Sequence, residues 1–181
     1  MITTNNCGLI IIDVQECLFP KIHDHKTLLK EILLLYKGLE IFNIPLLITE
    51  QYPQGLGKTV PEIHAATAAK TAYAKTSFSC FGDPHIRKKI LSMKKTHWIL
   101  AGIEAHICVL QTAQGLLAHN MKVIVPQEAT SSRHKTHYER ALIELVEIGA
   151  RVTSVESLLF ELAHDAKTKE FQKLKTLFRT P

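Results

Sequence analysis

No stretch of this chain approaches the roughly 20 consecutive apolar residues that a membrane-spanning helix requires. The opening run MITTNNCG also has no basic start of the kind that begins a secretory signal. A cytoplasmic protein with no membrane partner is therefore expected. Cysteine is sparse: Cys7, Cys17, Cys80 and Cys108 are scattered, with no C-x-x-C spacing. That excludes a disulfide framework and the usual structural zinc site, and leaves reduced thiols. Aromatic residues make up only 7% of the chain, and none is interleaved with a basic run. With no zinc-finger or RNA-recognition signature either, the net charge of +5 does not point to nucleic acid. The basic residues cluster only at 87–89, at Lys94 and Lys95, and over 167–179. Each cluster reads as a solvated helix face. A basic surface equally suits an anionic or carbonyl-bearing small molecule.

The 181 residues, 46% hydrophobic and 22% charged, form one domain over 1–181, large enough to bury a single core. Internal repeats and low-complexity tracts are absent. Strand-length apolar runs at 9–14, 45–49, 72–75, 97–102, 122–125 and 150–153 alternate with helical patterns at 24–42, 83–93, 104–119 and 134–148. Two final helices, at 155–164 and 168–178, read as packing on the outside of the domain. The alternation predicts parallel strands joined by right-handed crossovers, a three-layer α/β domain. Pro84 and Gly149 sit where helices start and stop. Residues 50–71 show no period and contain Pro53, Gly55, Gly57 and Pro61. They are expected to be an irregular functional loop.

Chemistry concentrates at strand ends. Cys108 follows the run HWILAG in the first turn of a helix, where unpaired N–H groups favour thiolate over thiol. The plainer reading is a small buried core residue. Asp13 ends the apolar run LIII and needs a partner or a crevice. Lys75 ends the third run, where an exposed lysine would be unremarkable. In an open α/β sheet all three ends face the crevice where ligands bind.

The motifs LIIIDVQECLFP, ITEQYPQGLG, AKTSFSCF, LAGIEAHICVLQTA and TSSR together resemble the isochorismatase-like cysteine hydrolases, the superfamily of nicotinamidases and N-carbamoylsarcosine amidases. The likeness spans essentially the whole chain and is to the small isochorismatase domain-containing branch. It implies a Rossmann-like sheet of six parallel strands in order 3-2-1-4-5-6, which sets strands one and four side by side at the switch point. It implies a triad in which Asp13 takes the proton of Cys108 while Lys75 holds the carboxylate charged and helps stabilise a thiolate. The thiolate attacks a carbonyl, and a thioester is left for water to cleave. Backbone N–H groups of Glu104 and Cys108 would form the oxyanion hole, beside a cis peptide between Ile103 and Glu104. Relatives are commonly homo-oligomers, so one is expected here.

Departures from the pattern narrow the chemistry. Where nicotinamidases carry an Asp-x-His metal motif, this chain reads Thr49, Glu50, Gln51, Tyr52, Pro53, and His64 stands alone in the following loop. No metal and no other cofactor are expected, and nicotinamide loses support as substrate. True isochorismatases cleave a vinyl ether without the cysteine, so Cys108 favours a small amide, carbamoyl or related carbonyl compound. Gln15, Phe19, Tyr52 and Phe78 are candidates for the substrate pocket, with Phe81 beside them. For the phenylalanines the core is the competing place, and for Gln15 the closing of a turn. Glu104 reads either as part of the site or as a solvated acid at a helix start, with His106 beside it. Residues 130–133 read as a helix-starting loop or as a contact to substrate or a neighbouring subunit. Two non-hydrolytic alternatives stand: a binding or scaffold member of the fold, and a thiol redox protein in which Cys17 or Cys80 approaches Cys108.

Overall fold

The structure, a computed structural model, describes residues 1–68 and 70–178. Strands β1 (Cys7–Ile12), β2 (Leu46–Gln51), β3 (Tyr73–Lys75), β4 (His97–Gly102), β5 (Lys122–Pro126) and β6 (Arg151–Thr153) form one all-parallel sheet in order β3-β2-β1-β4-β5-β6. Helices cover both faces, as an all-parallel sheet requires. The pleat sorts side chains between them. Leu9 and Ile11 of β1 and Ile99 and Ala101 of β4 join the core under α1 (His25–Ile41), α7 (Val155–Ala163) and α8 (Lys169–Leu177). Ile10 and Ile12, with Trp98 and Leu100, join the core under α4 (Pro84–Ser92), α5 (Leu110–Leu117) and α6 (Lys135–Glu147). All six residues of β1 are buried, which is why the central strand reads as an unbroken apolar run rather than an alternating one.

Boundaries follow local chemistry. The Asp83 side chain accepts from the backbone N–H groups of His85 and Ile86 and starts α4, with Pro84 at its first position. The end of α6 is followed by Gly149 at φ +94°. Helix α7 is not peripheral: Leu158 and Leu159 are fully buried, and Leu159 lies so close to Gly38 of α1 that a Cβ there would come within 2.6 Å of it.

Two expectations need correction. Strand β1 begins and ends two residues earlier than the apolar run suggests, because Asp13 leaves the strand at φ 54° while Val14, though buried, belongs to the turn that follows. The segment 50–71 is not an irregular loop. Strand β2 runs on to Gln51, and two short helices, α2 (Pro53–Leu56) and α3 (Pro61–Ala66), each start on a proline. Helices of 4 and 6 residues are too short to show a period. Ala69 within that segment, and Arg179 at the end of the basic C-terminal stretch, lie outside the described residues.

The switch point is closed by a glycine. Gly102, the last residue of β4, has φ +115°, and a Cβ on it would lie 2.1 Å from the carbonyl oxygen of Ile12. That carbonyl also accepts from Ile103 N–H at 2.9 Å, so β1 and β4 leave the sheet in contact. Gly102→Ala is expected to destabilise by more than the roughly 1–3 kcal/mol of left-handed strain, since a backbone clash adds to it. Gly149→Ala, with open space around its Cβ, should cost only about 1–2 kcal/mol. Urea midpoints of the two variants test this ordering.

Candidate active site

The strand order reverses between β1 and β4, and the crevice expected there is present. Just past β1, Asp13 is buried, its left-handed backbone held by an N–H bond to Thr49 O at 3.1 Å. From the end of β3, Lys75 Nζ donates to Asp13 Oδ2 at 2.6 Å and to Gln51 Oε1 at 2.7 Å. It also donates to the carbonyls of Ser77 and Phe78 at 3.2 and 3.1 Å. Thr49 Oγ1 donates to the other carboxylate oxygen, Oδ1, at 2.7 Å. Cys108 completes the group: it lines the same cavity as Asp13, whose carboxylate acts on its thiol. The three residues thus meet, although Lys75 touches Asp13 from behind while Asp13 and Cys108 face the open space.

That space is a cavity of about 240 Å³. Leu18, Leu56, Phe78 and Ile107 form apolar walls, and Gln51, Glu104 and Arg133 supply polar edges. Of the aromatic candidates only Phe78 lines it. Gln15 is fully buried and committed to backbone, donating to the carbonyls of Gln51 and Gly57 at 3.0 and 2.7 Å and accepting from Gln51 N–H at 2.7 Å. It closes the turn rather than meeting a ligand. Phe19 packs against the α1-side core and meets the His25 ring edge-on at 5.1 Å. Tyr52 lies over Gly55 and is largely exposed. Phe81 is buried against the ring of His119, 4.4 Å away.

The first turn after β4 is of π type, Ala105–Val109, before α5 begins. Glu104 C=O accepts from both Ile107 and Val109 N–H, at 3.1 and 3.2 Å, and widens the turn. A cis peptide joins Ile103 to Glu104. Glu104 is buried, not solvated: its carboxylate accepts from Arg133 N–H at 2.9 Å and from Arg133 Nε at 3.1 Å. The segment 130–133 clasps this turn. Thr130 Oγ1 donates to Gly102 O, Ser131 O accepts from Ala105 N–H, and Ser132 Oγ lies 2.9 Å from His106 Nδ1. None of these side chains caps α6, whose N-cap residue is His134.

The charge state of Cys108 departs from expectation. Burial, and then the negative charge of Asp13, push the thiol well above its ordinary value, and the opposing charge of Lys75 does not compensate. The ammonium is already spent on the carboxylate 2.6 Å away. Cys108 rests as a neutral thiol beside a carboxylate, not as a standing thiolate. For Lys75 itself burial acts to lower the value, but Asp13, with Cys80 and Cys108, outweighs it and the net direction is up. Thr49 and Gln51 were not singled out as site residues by their sequence context, and Cys80 only as a redox partner for Cys108. The alternation of Thr49 and Gln51 at the end of a strand, putting both on one face, is the signal that marks them.

Sequence and structure comparisons agree on the family. The Isochorismatase domain model matches residues 7–157. Isochorismatase domain-containing protein 2 of Danio rerio is 35% identical, over 99% of this chain and 90% of that protein. The chain belongs to the isochorismatase family. Among solved structures, the MAR1 ribonuclease of Caenorhabditis elegans matches with a TM-score of 0.91 at 32% identity, over 99% of this chain and 92% of that one. The octameric YcaC hydrolase of Escherichia coli shares the fold at a TM-score of 0.91 and 22% identity, over 98% and 88% of the two chains. The isochorismatase-like architecture, six parallel strands in order 3-2-1-4-5-6, is therefore the one seen here. Among the described residues no group of three or more His, Cys, Asp or Glu is placed to hold a metal ion. His64 lies on α3 beside Lys58 and Lys70. Among the described residues no helix is long and apolar enough to cross a membrane.

The buried thiols give this family member a definite alkaline response. Cys7 and Cys80 are pushed up to about 11, chiefly by burial, and Cys108 is raised as well, from an ordinary 9.0. Above pH 9 the unfolded chain releases protons that the folded one keeps, so stability is complete below that pH and falls as pH rises. Each thiol contributes a slope of about 1.4 kcal/mol per pH unit. Urea midpoints at pH 7 to 11 should be level to about 9 and then drop steeply. A level profile to pH 10.5 would contradict the burial of these groups.

Proposed function

We propose that this chain is a cysteine hydrolase acting on a small amide, carbamoyl or related carbonyl compound through a thioester, without a metal. One observation carries the reading: a thiol and a buried carboxylate, the latter held by an ammonium, share the wall of a small cavity. Cys108 Sγ attacks the substrate carbonyl carbon as its proton passes to Asp13, so the nucleophile is formed only in the act of attack. The oxyanion receives the backbone N–H groups of Glu104 and Cys108. The tetrahedral adduct collapses, breaking the C–N bond, and the amine leaves with the proton from Asp13. Water then gives a proton to Asp13 and adds to the thioester, which releases the acid and restores the thiol. Lys75 balances the carboxylate charge throughout.

The apolar walls and the size of the cavity support a compact uncharged reacting group. They do not suit an RNA strand, the substrate class that the name of the worm protein carries for that protein. The intact arrangement of thiol, carboxylate and ammonium favours this reading over a pure binding member of the fold, which has no need of all three. A homo-oligomer is part of the proposal, supported by Ile143 and Val146, which stand more than half exposed on α6; light scattering in solution tests it.

Turnover of a panel of small amides, carbamoyl compounds and esters is the decisive measurement. Cys108→Ala should lower kcat at least about a thousandfold, and dialysis against a strong chelator should leave activity unchanged. Activity that survives Cys108→Ala, or that zinc, iron or manganese restores after chelation, would refute this reading. So would RNA cleavage with no turnover of any carbonyl compound.

A further inference from the structure

Two groups behind the site, neither facing the cavity, form a chain of hydrogen bonds that ends on the proposed base. Thr49 Oγ1 lies 2.7 Å from Asp13 Oδ1 and 3.6 Å from Cys80 Sγ, with all three side chains buried. A threonine hydroxyl has one proton. The short contact to a carboxylate, which only accepts, takes that proton, so the thiol of Cys80 must donate to the threonine oxygen. Cys80 has its own proton to give, because burial, and then Asp13, keep it a thiol with a value pushed up to about 11. Its place is set from the far side: Cys80 N–H donates to Thr112 Oγ1 at 2.9 Å, and Thr112 lies one turn beyond Cys108 on α5. The chain of bonds therefore spans the end of β2, the turn after β3 and the helix that follows Cys108.

The two oxygens of Asp13 each have a side-chain donor. Lys75 takes Oδ2 and Thr49 takes Oδ1, while Cys108 shares the cavity that the carboxylate faces. An ion pair alone leaves a carboxylate free to turn about its Cβ–Cγ bond, because an ammonium is a point charge with no preferred plane. A second, directional donor on the other oxygen fixes that rotation. We propose that Thr49, itself aimed by Cys80, is a positioning residue that locks the plane of the Asp13 carboxylate toward the Cys108 thiol. This rests on Cys108 and Asp13 being the nucleophile and base described above.

The test needs no substrate. Iodoacetamide alkylation of each cysteine is followed by mass spectrometry from pH 5 to 9, with exposed Cys17 as the internal reference. In the unaltered protein Cys108 is alkylated, and Asp13→Asn changes its rate. Thr49→Val, close in shape but with no hydroxyl, should slow alkylation of Cys108 about tenfold at pH 7. It should also move the acid limb of the rate to higher pH, since the carboxylate loses a donor to its charged form. Thr49→Ser should restore both, and Cys80→Ala should move the limb the same way by less. Rate and limb unchanged in Thr49→Val, or a loss that Thr49→Ser does not recover, would overturn the positioning role while leaving the cysteine hydrolase reading intact. If Thr49→Val does not fold, Cys80→Ala decides, and an unmoved acid limb there refutes the proposal. An inert Cys108 in the unaltered protein, or one indifferent to Asp13→Asn, removes both this inference and the hydrolase reading beneath it.

Discussion

The contact on which the rest of the site depends is the ion pair between Asp13 and Lys75, 2.6 Å long and shut away from solvent on both sides. Removing two charges from water costs several kcal/mol each, and their attraction offsets this only when the remaining donors and acceptors are also met. Here they are met: Gln51 and two carbonyls serve the ammonium, and Thr49 serves the carboxylate. The pair also fixes backbone. Asp13 must turn into the left-handed region as it leaves β1 to reach Lys75, and the turn after β3 must fold back so that the Ser77 and Phe78 carbonyls point at Nζ. A packed apolar pair of similar volume would often serve stability as well or better. Its presence beside a thiol is more readily explained by chemistry than by folding.

Much of the fold was legible in the residues for a physical reason. A sheet covered on both faces needs continuous apolar strands, so β1 and β4 stand out from composition alone, and helical spacing marks α1, α4, α5 and α6. Strand order was not readable from periodicity; it came with the likeness of several motifs to one family. The errors have causes too. The end of β1 was misplaced because Val14 is buried like a strand residue although the chain has already turned at Asp13. Helices α2 and α3 were invisible because one or two turns cannot express a period.

At the site, the three chemical groups were legible because strand ends in this architecture share one edge. Their surroundings were not. Gln15 lies two residues past Asp13 and looked like a pocket residue, but the Gln51 and Gly57 backbone takes up its amide. Thr49 and Gln51 were passed over as the polar end of a strand, yet each touches the ion pair from the same face of β2. Glu104, plausible as a solvated acid at a helix start, is instead buried against Arg133. That pair draws the segment 130–133 onto the turn holding Cys108. Arg133 is half exposed, so the contact shapes the wall of the cavity more than it stabilises the domain.

The protonation of Cys108 shows why position at a helix start does not by itself decide reactivity. The dipole of a helix end and a neighbouring lysine both favour a thiolate. A widened π turn precedes α5, the thiol is buried, and the lysine charge is already matched by Asp13. Burial therefore wins, and the proton stays until a base removes it. A standing thiolate would be open to alkylation and oxidation at all times. A thiol that ionises only as a carboxylate accepts its proton meets an electrophile at a rate that the carboxylate sets. On the hydrolase reading proposed above, the selectivity of the nucleophile lies with the carboxylate, and hence with the groups that would orient it.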